Sequence, residues 1–200
     1  MFDVALRRLV DPMLVRTAVW FADARISANA LTFAGAVLGI CAAFFIAQSN
    51  FTAALVFVVL NRIFDGLDGA IARLNGPTEF GGYLDTICDY IFYIAVPVAF
   101  GLIDPANALP ALLLVASFTL TAVSFLAFAA ISGRRESQDG AHGPKAFFYS
   151  TGLMEGGETI AFFVLFCLFP AFFPTLAIIF AVLCVLTVLQ RILLAAKSFR

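Results

Sequence analysis

Long apolar stretches separated by short polar breaks dominate the chain. A helix needs about 20 mostly apolar residues to cross a bilayer's hydrocarbon core. Six stretches meet or approach that length, near 28–48, 51–74, 81–103, 108–132, 156–173 and 174–195. The breaks carry helix-ending residues: Ser49-Asn50, Asn75-Gly76-Pro77, Asp104-Pro105, and the polar stretch from Gly133 to Lys145. Pro170 and Pro174 blur the boundary between the last two spans. Ahead of the first span, Phe2, Leu6, Leu9, Val10 and Met13 recur at helical spacing, with Arg7, Arg8 and Asp11 between them. That segment is too polar to cross and reads as a helix lying in the interface plane. The pattern predicts an all-α integral membrane protein, with residues 1–27 an interfacial amphipathic segment and residues 28–200 a six-span membrane domain.

Composition supports the membrane class. Of the 200 residues, 62% are hydrophobic and 12% charged, against about a quarter charged in a soluble domain. Twenty-four phenylalanines are too many for one small soluble core. The net charge of -1 leaves no electrostatic footprint for nucleic acid. The start of the chain, Met1 to Ser27, has charges throughout and does not read as a cleavable signal. Cys41, Cys88, Cys167 and Cys184 all fall in apolar stretches without a C-x-x-C pair, and read as buried thiols. His142, the single histidine, reads as a solvated loop residue.

The charges also set an orientation. Arg7, Arg8, Arg16 and Arg25 precede the first span, and Arg62 and Arg73 lie in the second half of the second. Arg134, Arg135 and Lys145 lie between the fourth and fifth spans, and Arg191, Lys197 and Arg200 lie at the end. With six spans all twelve fall toward one side, and the opposite loops contain no Lys or Arg. By the positive-inside rule both termini are cytoplasmic.

Asp65, Asp68, Asp85 and Asp89 sit inside these otherwise apolar spans. A carboxylate at hydrocarbon depth costs about 2.5–3.5 kcal/mol on insertion scales. Arg62 and Arg73 cannot neutralise four such charges, whereas a bound divalent cation can. Oxygen-only ligation without nearby His or Cys points to a hard ion, Mg²⁺ or Mn²⁺. Asp65 and Asp68 are spaced i,i+3, and Asp85 and Asp89 i,i+4, so each pair shares one helix face. Asn61, Asp65, Asp68, Gly69 and Ala72 fall in one stripe about 100° wide. A turn at Gly76-Pro77 would fold the two helices antiparallel, with both pairs facing each other near their cytoplasmic ends. Four converging carboxylates can hold one or two ions, and two would clamp the attacking and leaving oxygens of a phosphoryl transfer. Gly66 and Ala70 read as packing positions, whereas Gly69 and Ala72, on the aspartate stripe, leave room for a ligand's phosphates.

The run Asp65-Gly66-Leu67-Asp68-Gly69-Ala70-Ile71-Ala72-Arg73, then seven residues, Gly81, three residues, Asp85, three residues and Asp89 resembles the signature of the CDP-alcohol phosphotransferases. That signature reads D-x-x-D-G-x-x-A-R-(x)n-G-x-x-x-D-x-x-x-D, and every fixed position is filled. Ser27-Ala28-Asn29-Ala30-Leu31-Thr32 more distantly resembles the family's T-P-N-x-L-T segment, with Asn29 and Thr32 retained. The resemblance places Asn29 and Thr32 near the nucleotide. The alternative is plain helix capping by Ser27 or Asn29.

The resemblance implies displacement of CMP from a CDP-linked lipid, chiefly CDP-diacylglycerol, by an acceptor hydroxyl that attacks the β-phosphorus. Members using CDP-choline or CDP-ethanolamine invert which side carries the lipid. It implies two Mg²⁺ or Mn²⁺ ions per active site, held by Asp65, Asp68, Asp85 and Asp89, with Asp89 also the base. Gly69, Ala72 and Arg73 join Asn29 and Thr32 on the nucleotide side. The resemblance further implies a homodimer in a bacterial-type cell membrane, with the active site near the cytoplasmic face. Acceptor candidates are Arg134, Arg135, Lys145 and Arg191, which either surround an acceptor phosphate or set topology. Glu155 and Glu158, at the mouth of the fifth span, either bind acceptor hydroxyls or amines or cap that helix. Two other classes also use intramembrane aspartates: Mg²⁺-dependent membrane prenyltransferases, which generally have more spans, and cation transporters, whose ion path runs the full membrane depth.

Overall fold

The computed structural model describes residues 16–21, 24–139 and 152–199, with backbone alone at 135–139. Among these residues the regular elements are all helical. A helical segment at 16–21 (α1) leads into α2 (Ala28–Ala47), α3 (Phe51–Asn75), α4 (Glu79–Ile103), α5 (Pro105–Asp139) and α6 (Gly156–Leu168). A 3-10 turn at Pro170–Phe172 then leads into α7 (Phe173–Ser198).

The polar breaks work as caps. Ser27 Oγ accepts the Ala30 amide at 3.2 Å, Asn50 Oδ1 that of Ala53 at 3.1 Å, and Thr78 Oγ1 that of Gly81 at 3.0 Å. Each satisfies an amide that a helix start leaves open. Ser27 therefore caps α2, which frees Asn29 from that role. Gly76 ends α3 at φ +91°, a backbone conformation that suits glycine, and lets the chain turn into α4.

Helices stand at all six positions the apolar pattern predicts. Among the described residues four elements are long and apolar enough to cross a membrane: α2, α4, α5 as far as Arg134, and α7 with its preceding turn. The 25 residues of α3 have the length but carry Arg62, Asp65, Asp68 and Arg73. The predicted fifth span ran to 173, whereas α6 has 13 residues and stops at Leu168. At about 1.5 Å per residue that is about 20 Å, short of a core of about 30 Å. Phe169 leaves helical geometry, and Pro170 starts the 3-10 turn instead of continuing the helix. Of the predicted interfacial segment, Phe2 to Met13 lie outside the described residues. Within α1, Ala18 is buried and Trp20 exposed.

The packing differs from a simple hairpin of aspartate helices. α2 lies against both α3 and α4, which do not pack closely on each other along their lengths. The reason is a small-residue face on α2. Gly35, Ala36, Gly39 and Ala42 are buried there with Leu31, Thr32 and Ile46. A Cβ at Gly39 would fall 2.8 Å from the Phe92 ring, so glycine is what admits α4. Such close helix approach substitutes for the hydrophobic drive that lipid does not supply.

Away from the charged ends, α4 to α7 are joined by stacked aromatic rings. Phe100 and Phe173 stack with centroids 4.4 Å apart, as do Phe162 and Phe180. Phe92, Phe100, Phe163, Phe166, Phe173 and Phe180 are fully buried. Large apolar side chains also cover the outside, with Leu102, Leu112 and Leu193 each about two-thirds exposed or more. An apolar exterior of this extent is a surface for lipid, and the chain is an integral membrane protein.

Gly39→Val tests the α2–α4 approach. Overpacking of this kind costs about 1–3 kcal/mol, so the variant in detergent should melt several degrees below wild type.

Candidate active site

Asp65 and Asp68 come from α3, and Asp85 and Asp89 from α4. One carboxylate oxygen from each of Asp65, Asp68 and Asp85 lies within 4.8 Å of the others. A single pocket is lined by all four aspartates together with Thr32, Gly35, Ala36, Asn61 and Cys88. Its floor is α2, whose Gly35 and Ala36 leave the space open. Asn61 Nδ2 donates to the Gly35 carbonyl at 2.9 Å, which locks α3 onto α2 beneath the aspartates.

The donor set fits a hard cation. Asp68 is only 5% exposed, and its Oδ2 is buried without a hydrogen-bond partner, as is Oδ1 of Asn61. Orphaned buried oxygens are rare in native folds. Three carboxylates, one with an orphaned oxygen, the orphaned Asn61 Oδ1 beside them, and no nitrogen or sulfur donor except the Cys88 thiol match Mg²⁺ or Mn²⁺ better than Zn²⁺.

Asp89 is held differently. Arg62, one turn before Asp65 on α3, forms an ion pair with Asp65 Oδ1 and donates from Nη2 to Asp89 Oδ1 at 3.3 Å. Its Nη1 donates to the Tyr93 hydroxyl at 3.3 Å, and that hydroxyl faces Asp89 Oδ2 at 3.5 Å. The sequence pattern offers Arg62 as a partial counter-charge to the aspartates and does not single out Tyr93. Both stood one helical turn from an aspartate, at i,i+3 and i,i+4, which was the available signal. Cys88 was read only as a buried thiol, yet it lines the pocket.

Thr32 lines the same pocket, donating to the Ala28 carbonyl at 3.1 Å. Asn29 stands at the start of α2 beside α4. A Cβ on Gly81 would sit 3.2 Å from Asn29 Oδ1 and 2.9 Å from Thr78 Oγ1. Gly81 thus permits the close approach of the two helix starts. Toward the end of α3, Gly69 is half-buried, and a Cβ there would meet only Arg73 Nη1, at 3.4 Å. Ala72 is half-buried and Arg73 exposed, so this face is open to a ligand.

The residues considered for the acceptor are dispersed. Arg134 is exposed on α5, while the Arg135 side chain, Lys145 and His142 lie outside the described residues. Arg191, on α7, is 7% exposed and donates from Nη1 to the Thr121 carbonyl at 2.9 Å and to Ser124 Oγ at 3.3 Å. It also lies over the Phe125 ring. Glu158 Oε2 accepts the Glu155 amide at 3.2 Å, and Glu155 Oε1 accepts the Gly152 amide at 3.0 Å, so both carboxylates serve the start of α6. That start adjoins the aspartates: a Cβ on Gly156 would lie 3.5 Å from the Tyr93 hydroxyl.

Gly81→Ala should push α2 and α4 apart at the pocket's edge. A melting temperature below wild type is expected, whereas Gly82→Ala, with open space at its Cβ, should melt as wild type does.

Comparison with known proteins bears on the family and the fold. Inner membrane protein YnjF of Escherichia coli is 42% identical over 193 residues, covering 96% of this chain and 94% of that protein. Phosphatidylcholine synthase of Borreliella burgdorferi is 35% identical over 74 residues, 34% of this chain and 32% of that one. Among solved structures, the fold resembles Mycobacterium tuberculosis phosphatidylinositol phosphate synthase (PgsA1) in complex with manganese and citrate. That match has a TM-score of 0.70 at 20% identity and covers 90% of this chain and 88% of that one. The same enzyme with CDP-DAG bound gives a TM-score of 0.66 at 23% identity, covering 90% and 92%. Residues 25–197 match the CDP-alcohol phosphatidyltransferase family, and with the aspartate pocket in place the chain belongs to that family.

Proposed function

We propose that the chain transfers a phosphatidyl group from CDP-diacylglycerol to an acceptor hydroxyl and releases CMP. The observation that carries this is the convergence of Asp65, Asp68 and Asp85 with the orphaned oxygens of Asp68 and Asn61 in one pocket. Support for the donor comes from the similar fold of PgsA1, which has been solved with CDP-DAG bound.

Asp65, Asp68 and Asp85 would hold Mg²⁺ or Mn²⁺. The ion supplies positive charge to the diphosphate and to the charge that develops on its oxygens as the bond to CMP breaks. Asn29 and Thr32 on α2, with Gly69, Ala72 and Arg73 on α3, take the nucleotide. The open face over Gly69 leaves room for phosphate against backbone, and Arg73 adds a cation there. Asp89 is the base. Its Oδ1 is engaged by Arg62, while Oδ2 has the longer contact to the Tyr93 hydroxyl. Oδ2 is therefore the oxygen that takes the acceptor's proton as the hydroxyl attacks the β-phosphorus.

The acceptor enters beside Tyr93, at the start of α6, and Glu155, Glu158 and Arg191 are the candidates to hold it. Arg134, Arg135 and Lys145 are further candidates for an acceptor phosphate. Six crossings, both termini in the cytoplasm and the pocket at the cytoplasmic face follow from the distribution of Lys and Arg. In this arrangement α3 crosses with its charges turned inward, and α6 crosses with the help of the Pro170–Phe172 turn.

Purified protein with CDP-diacylglycerol, Mg²⁺ and a panel of acceptors should release CMP. The panel holds glycerol 3-phosphate, serine, myo-inositol, inositol phosphate and a second phospholipid. Removing the metal with chelator should abolish release. Asp89→Asn should lower kcat by about 10²-fold or more while the protein still inserts in the membrane. Normal CMP release from Asp89→Asn would remove it as the base. No turnover with any donor, together with cation flux into liposomes, would replace the transferase reading by a transporter.

A further inference from the structure

We propose that α1 is a bilayer-surface anchor for the aspartate helix: Trp20 and Val19 seat in the lipid headgroup layer, and Ala18 carries that hold to the back of α3. The occupant of this surface is lipid, and the inference stands apart from the transferase reading above.

One side of α1 is committed to the fold. Ala18 is fully buried and packs with Leu31 of α2 and with Leu67, Ala70 and Ile71 of α3. At about 100° per residue, these last three stand on the face of α3 opposite Asp65, Asp68, Gly69 and Ala72. α1 therefore supports α3 from behind its carboxylates. Backbone hydrogen bonds close the link to α2: the Ala24 amide donates to the Trp20 carbonyl at 3.1 Å, and the Ile26 amide to the Phe21 carbonyl at 3.0 Å. Phe21 and Ile26 pack on the same cluster, so α1 is fixed at its end as well as along its side.

The other side is open. Trp20 is 67% exposed and Val19 44%. Arg16, four residues before Trp20 and on the same helix face, is exposed too. The level of α1 decides what meets this side. Leu31 stands one turn from the start of α2, and Ile71 about one turn from the end of α3. α1 thus lies where the helices reach the edge of the lipid-facing exterior. Tryptophan concentrates at that edge, because its ring meets acyl carbon while its N–H meets ester and phosphate oxygens. The Arg16 guanidinium adds a partner for lipid phosphate beside it.

Trp20 is the single tryptophan of the chain, so intrinsic fluorescence reports on α1 alone. The full chain is placed in nanodiscs of phosphatidylcholine brominated either near the headgroup or near the acyl-chain end. Bromine near the headgroup is expected to remove more Trp20 emission than bromine at the chain end, with little loss to aqueous iodide. Iodide quenching without bromine quenching would put Trp20 in water and overturn the anchor. Quenching by neither would put protein over Trp20, a second copy included, and overturn it as well. Stronger quenching from the chain end would overturn the headgroup placement. The hold on α3 is read by hydrogen exchange in unbrominated nanodiscs. Trp20→Ser is expected to speed amide exchange at residues 67–75 while α7 exchanges as in wild type, and Trp20→Tyr to restore the slow exchange. Unchanged exchange at 67–75 in Trp20→Ser, or a rise that extends to α7, would overturn a local hold on α3. None of these readouts uses donor, metal or CMP release, so failure of the transferase reading is seen separately.

Discussion

Carboxylates held between apolar helices must be compensated. Isolated in a low-dielectric interior, each would be costly enough to prevent insertion or to remain protonated. Four of them within 25 residues make this the constraint on which the rest of the structure turns. The fold meets it with a guanidinium that joins Asp65 to Asp89, and with a pocket where the oxygens of Asp65, Asp68 and Asp85 converge. Neither would form if α3 and α4 simply packed against each other as apolar helices.

The supporting packing follows from that need. α2 presents glycine and alanine to both aspartate helices, which brings their backbones close without filling the space between the carboxylates. Asn61 ties α3 to the Gly35 carbonyl, Gly81 lets the starts of α2 and α4 meet, and Gly39 accepts Phe92. Further along the helices the stacked phenylalanines join α4, α6 and α7 in one close-packed core, and such interiors have low compressibility. Rigidity matters because aligned reactants and fixed charges supply most of what a phosphoryl-transfer site has to offer.

Much of this was legible in the sequence, because the apolar stretches and their caps are local features. The helices appear where Ser27, Asn50 and Thr78 cap them, and the i,i+3 and i,i+4 spacings place each aspartate pair on one face. What was not legible depends on which helices meet. The role of α2 as floor requires knowing that Gly35 and Gly39 face α3 and α4. Arg62 and Arg73 stood as equal partial counter-charges to the aspartates, and only the packing shows that Arg62 reaches Asp89 and Tyr93 on α4. The anchoring of Arg191 on the Thr121 carbonyl joins residues far apart in the chain and leaves no local signal. Glu155 and Glu158 had two possible uses, and in the structure both serve the start of α6.

The claim at the centre of this account is that Asp65, Asp68 and Asp85 form a divalent-cation site. The most direct test is anomalous scattering at the manganese edge from crystals of the full chain grown with Mn²⁺. The account predicts a peak within about 2.0–2.6 Å of oxygens from all three aspartates. Crystals that contain Mn²⁺ but show no peak among these carboxylates, or show one only elsewhere, would contradict it.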